Sequence, residues 1–107
     1  MFDRYVFAKL NEEWAGDEGV AAVLAEARRV LPSIPGVRFC RIGAPADAHA
    51  GKGWDVCFVL NFASLEDIES YRVHPIHKAF LNDFLEPKVE AKRAWNFSVE
   101  EIAGVSA

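Results

Sequence analysis

The sequence predicts an α+β domain of the split βαβ kind: a four-stranded antiparallel sheet with its helices on one face. Three observations carry that prediction. Short runs rich in aromatic and β-branched residues open the chain, close it, and occur twice in its middle. Between them lie stretches whose apolar residues recur at helical spacing. Finally, 107 residues, 51% of them hydrophobic and with a formal net charge of −4, suit one domain around one core and exclude disorder as the main state.

Each element follows in order. Residues 2–10 (FDRYVFAKL) are too short for a helix and read as a strand, with Arg4, Val6, Ala8 and Leu10 on one face and Asp3, Tyr5, Phe7 and Lys9 on the other. Asp17 is expected to cap a helix whose stripe is Val20, Val23, Leu24, Ala27 and Leu31. Early Glu18 and late Arg28 and Arg29 suit its dipole, and Pro32 with Pro35-Gly36 stops it. Residues 37–43 form a second strand. Residues 44–53 (APADAHAGKG) read as a surface loop holding His49. Its Gly51-Lys52-Gly53 is no phosphate loop, because Ala46 stands where that motif needs Gly and Gly53 where it needs Ser or Thr.

Residues 54–63 form the strongest strand, with Trp54, Val56, Phe58, Leu60 and Phe62 on one face and Cys57, Val59 and Ala63 on the other, so cover is expected on both sides. Ser64 caps the next helix, with Asp67 completing an approximate capping box and Leu65, Ile68 and Tyr71 facing inward. Pro75 forces a break at His74 and opens a further helix that carries His77, Phe80, Leu81 and Phe84 on one face and ends before Pro87. Residues 89–99 form the fourth strand, with Arg93, Trp95, Phe97 and Val99 on one side. The domain is placed at residues 1–100 and a frayed tail at 101–107.

The acidic balance and the lack of a Lys/Arg cluster exclude phosphate-backbone binding, so no nucleic-acid partner is expected. The longest apolar runs, such as residues 56–60, are far below the ~20 residues of a membrane span, and Asp3 and Arg4 interrupt any signal-like stretch at the N-terminus. A cytoplasmic globular protein is expected. Cys40 and Cys57, in strand contexts without CxxC spacing, read as small buried hydrophobes. A disulfide is the alternative, and zinc would lack ligands. One helical layer covers only one side of the sheet. The apolar groups on the other side would be left in water at about 25 cal/mol per Å², so two sheets are expected to pair face to face in a homodimer.

Chemistry concentrates at Tyr71-Arg72-Val73-His74-Pro75-Ile76-His77, a phenol and two imidazoles at a helix break. In a first helical turn His77 would stay neutral and able to accept a proton. Tyr71 could donate a hydrogen bond to a carbonyl oxygen gaining negative charge, and the two together suffice to remove a proton α to a carbonyl. His74 can cap the helix or orient a partner. His77 can equally be a core histidine of the Phe80/Leu81/Phe84 stripe. Arg4 and Arg93, on otherwise apolar strand faces, suggest a cavity that faces an anion. The two histidines lack the further ligands a metal would need, so no metal is expected.

From Asp67 to His77 the chain resembles the stress-responsive α/β-barrel (Dabb) family, with Tyr-x-x-His-Pro-x-His the most specific part. Lys9-Leu10 is similar to that family's opening strand. Ile34-Pro35-Gly36-Val37 resembles its helix-to-strand turn, Gly53-Trp54-Asp55 the start of its third strand, and Phe84-Leu85 with Pro87 and Val89 the end of its last helix. The resemblance implies a ferredoxin-like monomer, two copies of which close an eight-stranded dimeric α/β barrel. A plant member is a cofactor-free polyketide cyclase that performs an aldol condensation with a Tyr and a His. By that resemblance Tyr71 and His77 are the catalytic candidates: His77 the base and Tyr71 the donor to the carbonyl or enolate, acting on a small carbonyl compound without a cofactor. His74, Arg4, Phe80 and Phe84 are the candidate substrate-binding residues, with His74 also the motif's structural histidine. Where family members often carry a cavity histidine on the first strand, this chain has Arg4, which changes pocket volume and charge. The rival expectation is a non-catalytic, ligand-binding or stress-induced dimer. A cofactor-independent monooxygenase is a third, by fold analogy.

Overall fold

A computed structural model describes residues 1–104; the end of the expected tail, 105–107, lies outside the described residues. The elements are β1 (Phe2–Leu10), α1 (Asp17–Val30), β2 (Phe39–Gly43), α2 (Ala48–Gly51), β3 (Val56–Phe62), α3 (Leu65–Val73), α4 (Pro75–Lys78) and β4 (Val89–Ser98). The sheet is antiparallel throughout in the order β2-β3-β1-β4, so the first and third strands lie at its centre, and α1, α3 and α4 cover one face. This is the ferredoxin-like arrangement.

Register follows the alternation of apolar residues. Val6 lies opposite Phe58 on β3 and Ala94 on β4. The helix-facing side therefore gathers Val6, Ala8 and Leu10 with Val56, Phe58, Leu60 and Phe62, all buried. Val23, Ala27, Ile68 and Tyr71 close over them from the helices. The opposite face carries Tyr5, Phe7, Trp95 and Phe97 as a connected aromatic band, with Tyr5–Phe97 centroids 5.5 Å apart and Phe7–Trp95 6.1 Å apart. Trp95 keeps 47% and Phe97 55% of its surface in water.

The structure differs from the sequence reading at several boundaries. Gly16, not Asp17, is the cap of α1; Asp17 is the first helical residue, still favourably placed for the dipole. Gly19 is required because a Cβ there would collide with the Trp14 carbonyl, and Gly36 turns the chain at φ +95°. The expected loop at 44–53 contains the one-turn helix α2, capped by the Asp47 side chain, which accepts the Ala50 N–H at 2.8 Å. Trp54 leaves the strand plane to meet Phe7, 5.9 Å away, on the helix-free side. Asp55 ends β1 by accepting the Leu10 N–H at 2.8 Å.

Leu65, at the outer start of α3, is 51% exposed and does not join Ile68 and Tyr71 inside. Beyond α4 the chain does not stop before Pro87. It runs through a π-helical stretch, Ala79–Leu85, and a 3-10 turn, Glu86–Lys88. Cys40 and Cys57 are free and only half-buried. They face opposite sides of the sheet, which excludes a disulfide between them. Burial pushes both thiols above their usual value.

Ser64 caps α3 as its sequence position requires, its Oγ accepting the Asp67 N–H at 3.1 Å. Ser64→Ala leaves that amide without its partner and is expected to cost about 1 kcal/mol. A lower urea midpoint at unchanged slope is the measurement that checks it.

Candidate active site

Between the sheet and the helical layer lies a cavity of about 210 Å³. Its polar groups are Arg4 and Lys92 from the sheet, Tyr71 and Arg72 from α3 and His77 from α4. Phe58, Phe80 and Leu85 are among its apolar walls.

The break at His74-Pro75 builds the helical side. His74 is extended, at φ −66° and ψ 137°, as a residue before proline prefers, so α4 starts in a new direction. The chain thereby returns His77 to Tyr71, with ring centroids 4.3 Å apart. Tyr71 is held on its other side by Phe62, edge to face at 5.2 Å. The π-helical stretch completes the wall. Its wider turn brings residues five apart onto one face, so Phe80 and Leu85 both look into the cavity.

The same geometry separates the sequence-predicted residues. Arg4, Tyr71, His77 and Phe80 meet in the cavity, but His74 and Phe84 do not line it. His74 spends Nδ1 accepting the Ile76 N–H at 3.1 Å, the capping role. Phe84, four residues after Phe80, falls off the face because π spacing is not α spacing. Its ring stacks on Phe80 at 5.6 Å and lies under the Lys88 ammonium at 4.0 Å. Arg93 points to the helix-free side opposite Phe7, so the two strand arginines do not share a cavity. Lys92 and Arg72 are the polar residues the sequence reading missed. Strand alternation was the available signal for Lys92, which sits opposite Ala8 on the covered face.

Electrostatics set the protonation states. Burial holds the His77 imidazole below its ordinary pKa. The Arg72 carbonyl works the other way, and the cations Arg4, Lys92 and Arg72 add to the lowering. Desolvation, rather than the helix N-terminus, is thus the main cause. His77 Nδ1 lies 3.0 Å from the Arg72 carbonyl oxygen. A carbonyl can only accept, so Nδ1 carries the proton and Nε2 the free lone pair. Burial pushes the Tyr71 phenol well above its usual range, with Arg4 opposing, so Tyr71 is a hydrogen-bond donor at neutral pH. Desolvation lowers Arg4 as well, but a guanidinium stays charged. Among the described residues no group of three or more His, Cys, Asp or Glu side chains could hold a metal, and no helix is long and apolar enough to cross a membrane.

An antiparallel sheet roofed on one side by helices, with a neutral imidazole and a protonated phenol lining one cavity beneath that roof, defines a ferredoxin-like α+β protein. The chain belongs to the stress responsive A/B barrel domain (Dabb) family, whose profile matches residues 2–99. Among solved structures it is similar to a Dabb family protein with a ferredoxin-like fold from Mesorhizobium loti, at 22% identity and TM-score 0.77 over 94% of this chain and 97% of that one. A dimeric ferredoxin-like protein of unknown function from Thermobifida fusca is 20% identical, TM-score 0.78, over 92% and 90% of the two chains. The hydroxynitrile lyase from Passiflora edulis is 15% identical, TM-score 0.76, over 96% of each. No curated protein matches the chain.

Proposed function

We propose that the chain acts as a homodimer whose cavity performs cofactor-free proton transfer on a small carbonyl compound. The observation that carries this is the hydrogen bond from His77 Nδ1 to the Arg72 carbonyl, beside Tyr71. It fixes the tautomer in which Nε2 is a base, within a desolvated pocket that keeps it unprotonated. His77 takes the proton α to the carbonyl as Tyr71 donates a hydrogen bond to the carbonyl oxygen, which gathers the negative charge of the enolate. The enolate carbon can then regain a proton, or add to a second carbonyl of the same molecule in an aldol-type ring closure. In the latter the new alkoxide receives the proton held on His77. That a fold relative is a hydroxynitrile lyase supports the view that this scaffold can carry catalysis. The dimer is supported by the aromatic helix-free face and by the dimeric fold relative from Thermobifida fusca.

The test is exchange of the benzylic protons of phenylpyruvate and of its methyl ester in deuterated buffer, followed by proton NMR. Exchange of at least one probe is expected to exceed the buffer rate by about 10²-fold or more. Acceleration of neither ends the proposal. The pH dependence has a defined sign. Protonated His77 cannot act as base, and its pKa lies below the ordinary 6.5, so the rate constant is expected to reach a plateau on the alkaline side and to fall on the acid side with a midpoint below that value. A midpoint above 6.5 would contradict the desolvated imidazole.

A further inference from the structure

The charges around the cavity do not balance, and the excess is positive. Arg4, Arg72 and Lys92 line it, and among the described residues no carboxylate does. Two of the three cations have partners at the rim: Arg72 pairs with Glu69 at 2.8 Å, and Lys92 with Glu86 at 2.7 Å. Arg4 is different. Its Nη1 donates to the neutral Asn96 Oδ1 at 2.8 Å, while its Nε is enclosed and meets no acceptor among the described residues. A half-buried guanidinium without a counter-charge is costly to hold. It stands in a protein whose formal net charge is −4, so general basicity does not explain it.

Arg4 lines the cavity with no carboxylate against it, and a guanidinium can take a carboxylate through two parallel hydrogen bonds. We propose that the cavity selects carbonyl compounds that carry a carboxylate, with Arg4 as the residue that binds it. This rests on the reading of Tyr71 and His77 as a proton-transfer pair and adds the substrate class. One net positive charge matches one carboxylate better than a phosphate dianion. The arrangement also has a chemical consequence. The carboxylate anchored on β1 leaves the keto group and its neighbouring carbon to face the helical side, where the phenol and the imidazole stand, and an apolar substituent to face Phe58 and Phe80.

The experiment compares phenylpyruvate with its neutral methyl ester by calorimetric binding and by proton exchange. Wild-type protein is expected to bind the acid at least about tenfold more tightly than the ester. Arg4→Gln should weaken the acid by about tenfold to a hundredfold and leave the ester within about twofold. Arg4→Lys, which keeps the charge but not the fork, should fall between them. Melting of each variant separates lost binding from lost folding, and the acid-to-ester ratio in wild type needs no variant at all. Equal affinity for acid and ester, binding of neither, an acid affinity unchanged in Arg4→Gln, or tighter binding of inorganic phosphate than of phenylpyruvate would each overturn the inference. Failure of the two ideas is distinguishable. Acid-selective binding without exchange removes the proton-transfer reading and keeps the anion site; exchange of acid and ester alike, indifferent to Arg4, does the reverse.

Discussion

His77→Ala is expected to lower α-proton exchange by about 10²- to 10⁴-fold, down to what the remaining cavity provides, while the protein stays folded. The size follows from the role: Nε2 is the basic atom of the cavity-lining His77 once Nδ1 is committed to the Arg72 carbonyl, and the other nitrogen base of the motif, His74, does not line the cavity and has its Nδ1 tied to the Ile76 amide. Tyr71→Phe is the companion variant. It keeps the ring against Phe62 and His77 and removes only the hydroxyl, so the loss of about 10²-fold reports the donor to the developing oxyanion rather than a packing defect. The phenol's raised pKa strengthens this reading, because a group that keeps its proton cannot replace His77 as the base. The pair also sorts the mechanism by pH. Tyr71→Phe should retain the acid limb set by His77, and His77→Ala should lose it. Rates unchanged in both variants would leave the cavity as a binding site for a non-catalytic protein.

Why these residues could be found from the sequence, and others not, has a physical basis. Tyr71, His77 and the break between them were legible because Pro75 acts locally: it fixes its own backbone angle and restricts His74 whatever the rest of the chain does. Strand alternation was equally local, and it put Arg4 on the covered face with Val6, Ala8 and Leu10. Phe84 was misplaced because the 3.6-residue period was carried through a stretch that adopts π geometry, which no pattern of apolar residues announces. His74 carries both readings in the sequence, helix cap and substrate contact, because a side chain beside a helix start has two uses that sequence alone does not separate, and the structure shows the cap. The partnering of Arg72 and Lys92 by Glu69 and Glu86, which singles out Arg4, required coordinates. The Lys92–Glu86 contact joins residues of two different elements, and the Arg72–Glu69 pair matters only once Arg72 is known to face the cavity.

The dimer makes the second large prediction, and it can be separated from the chemistry. Wild-type protein at micromolar concentration should sediment at twice the 11.9 kDa chain mass, because the aromatic band of Tyr5, Phe7, Trp95 and Phe97 is too extensive a face to leave in water. Replacing Trp95 and Phe97 together by Asp places two carboxylates in the β4 half of that band. Two copies brought together would desolvate four carboxylates against two Arg93 guanidinium groups of the same face, at a cost of several kcal/mol per ion that the remaining apolar area does not offset. The double variant is therefore expected to sediment as a single chain. It should remain folded, since neither side chain belongs to the buried core, which lies on the other side of the sheet. It should also keep its exchange rate per chain within a few-fold, because the cavity is closed by the helices and by the covered face of β1 and β4, and the band faces away from it. A wild-type protein that sediments as one chain would overturn the dimer. A monomeric variant that stays folded but loses all exchange would show instead that pairing of the sheets holds Arg4 and its neighbours on β1 and β4 in place.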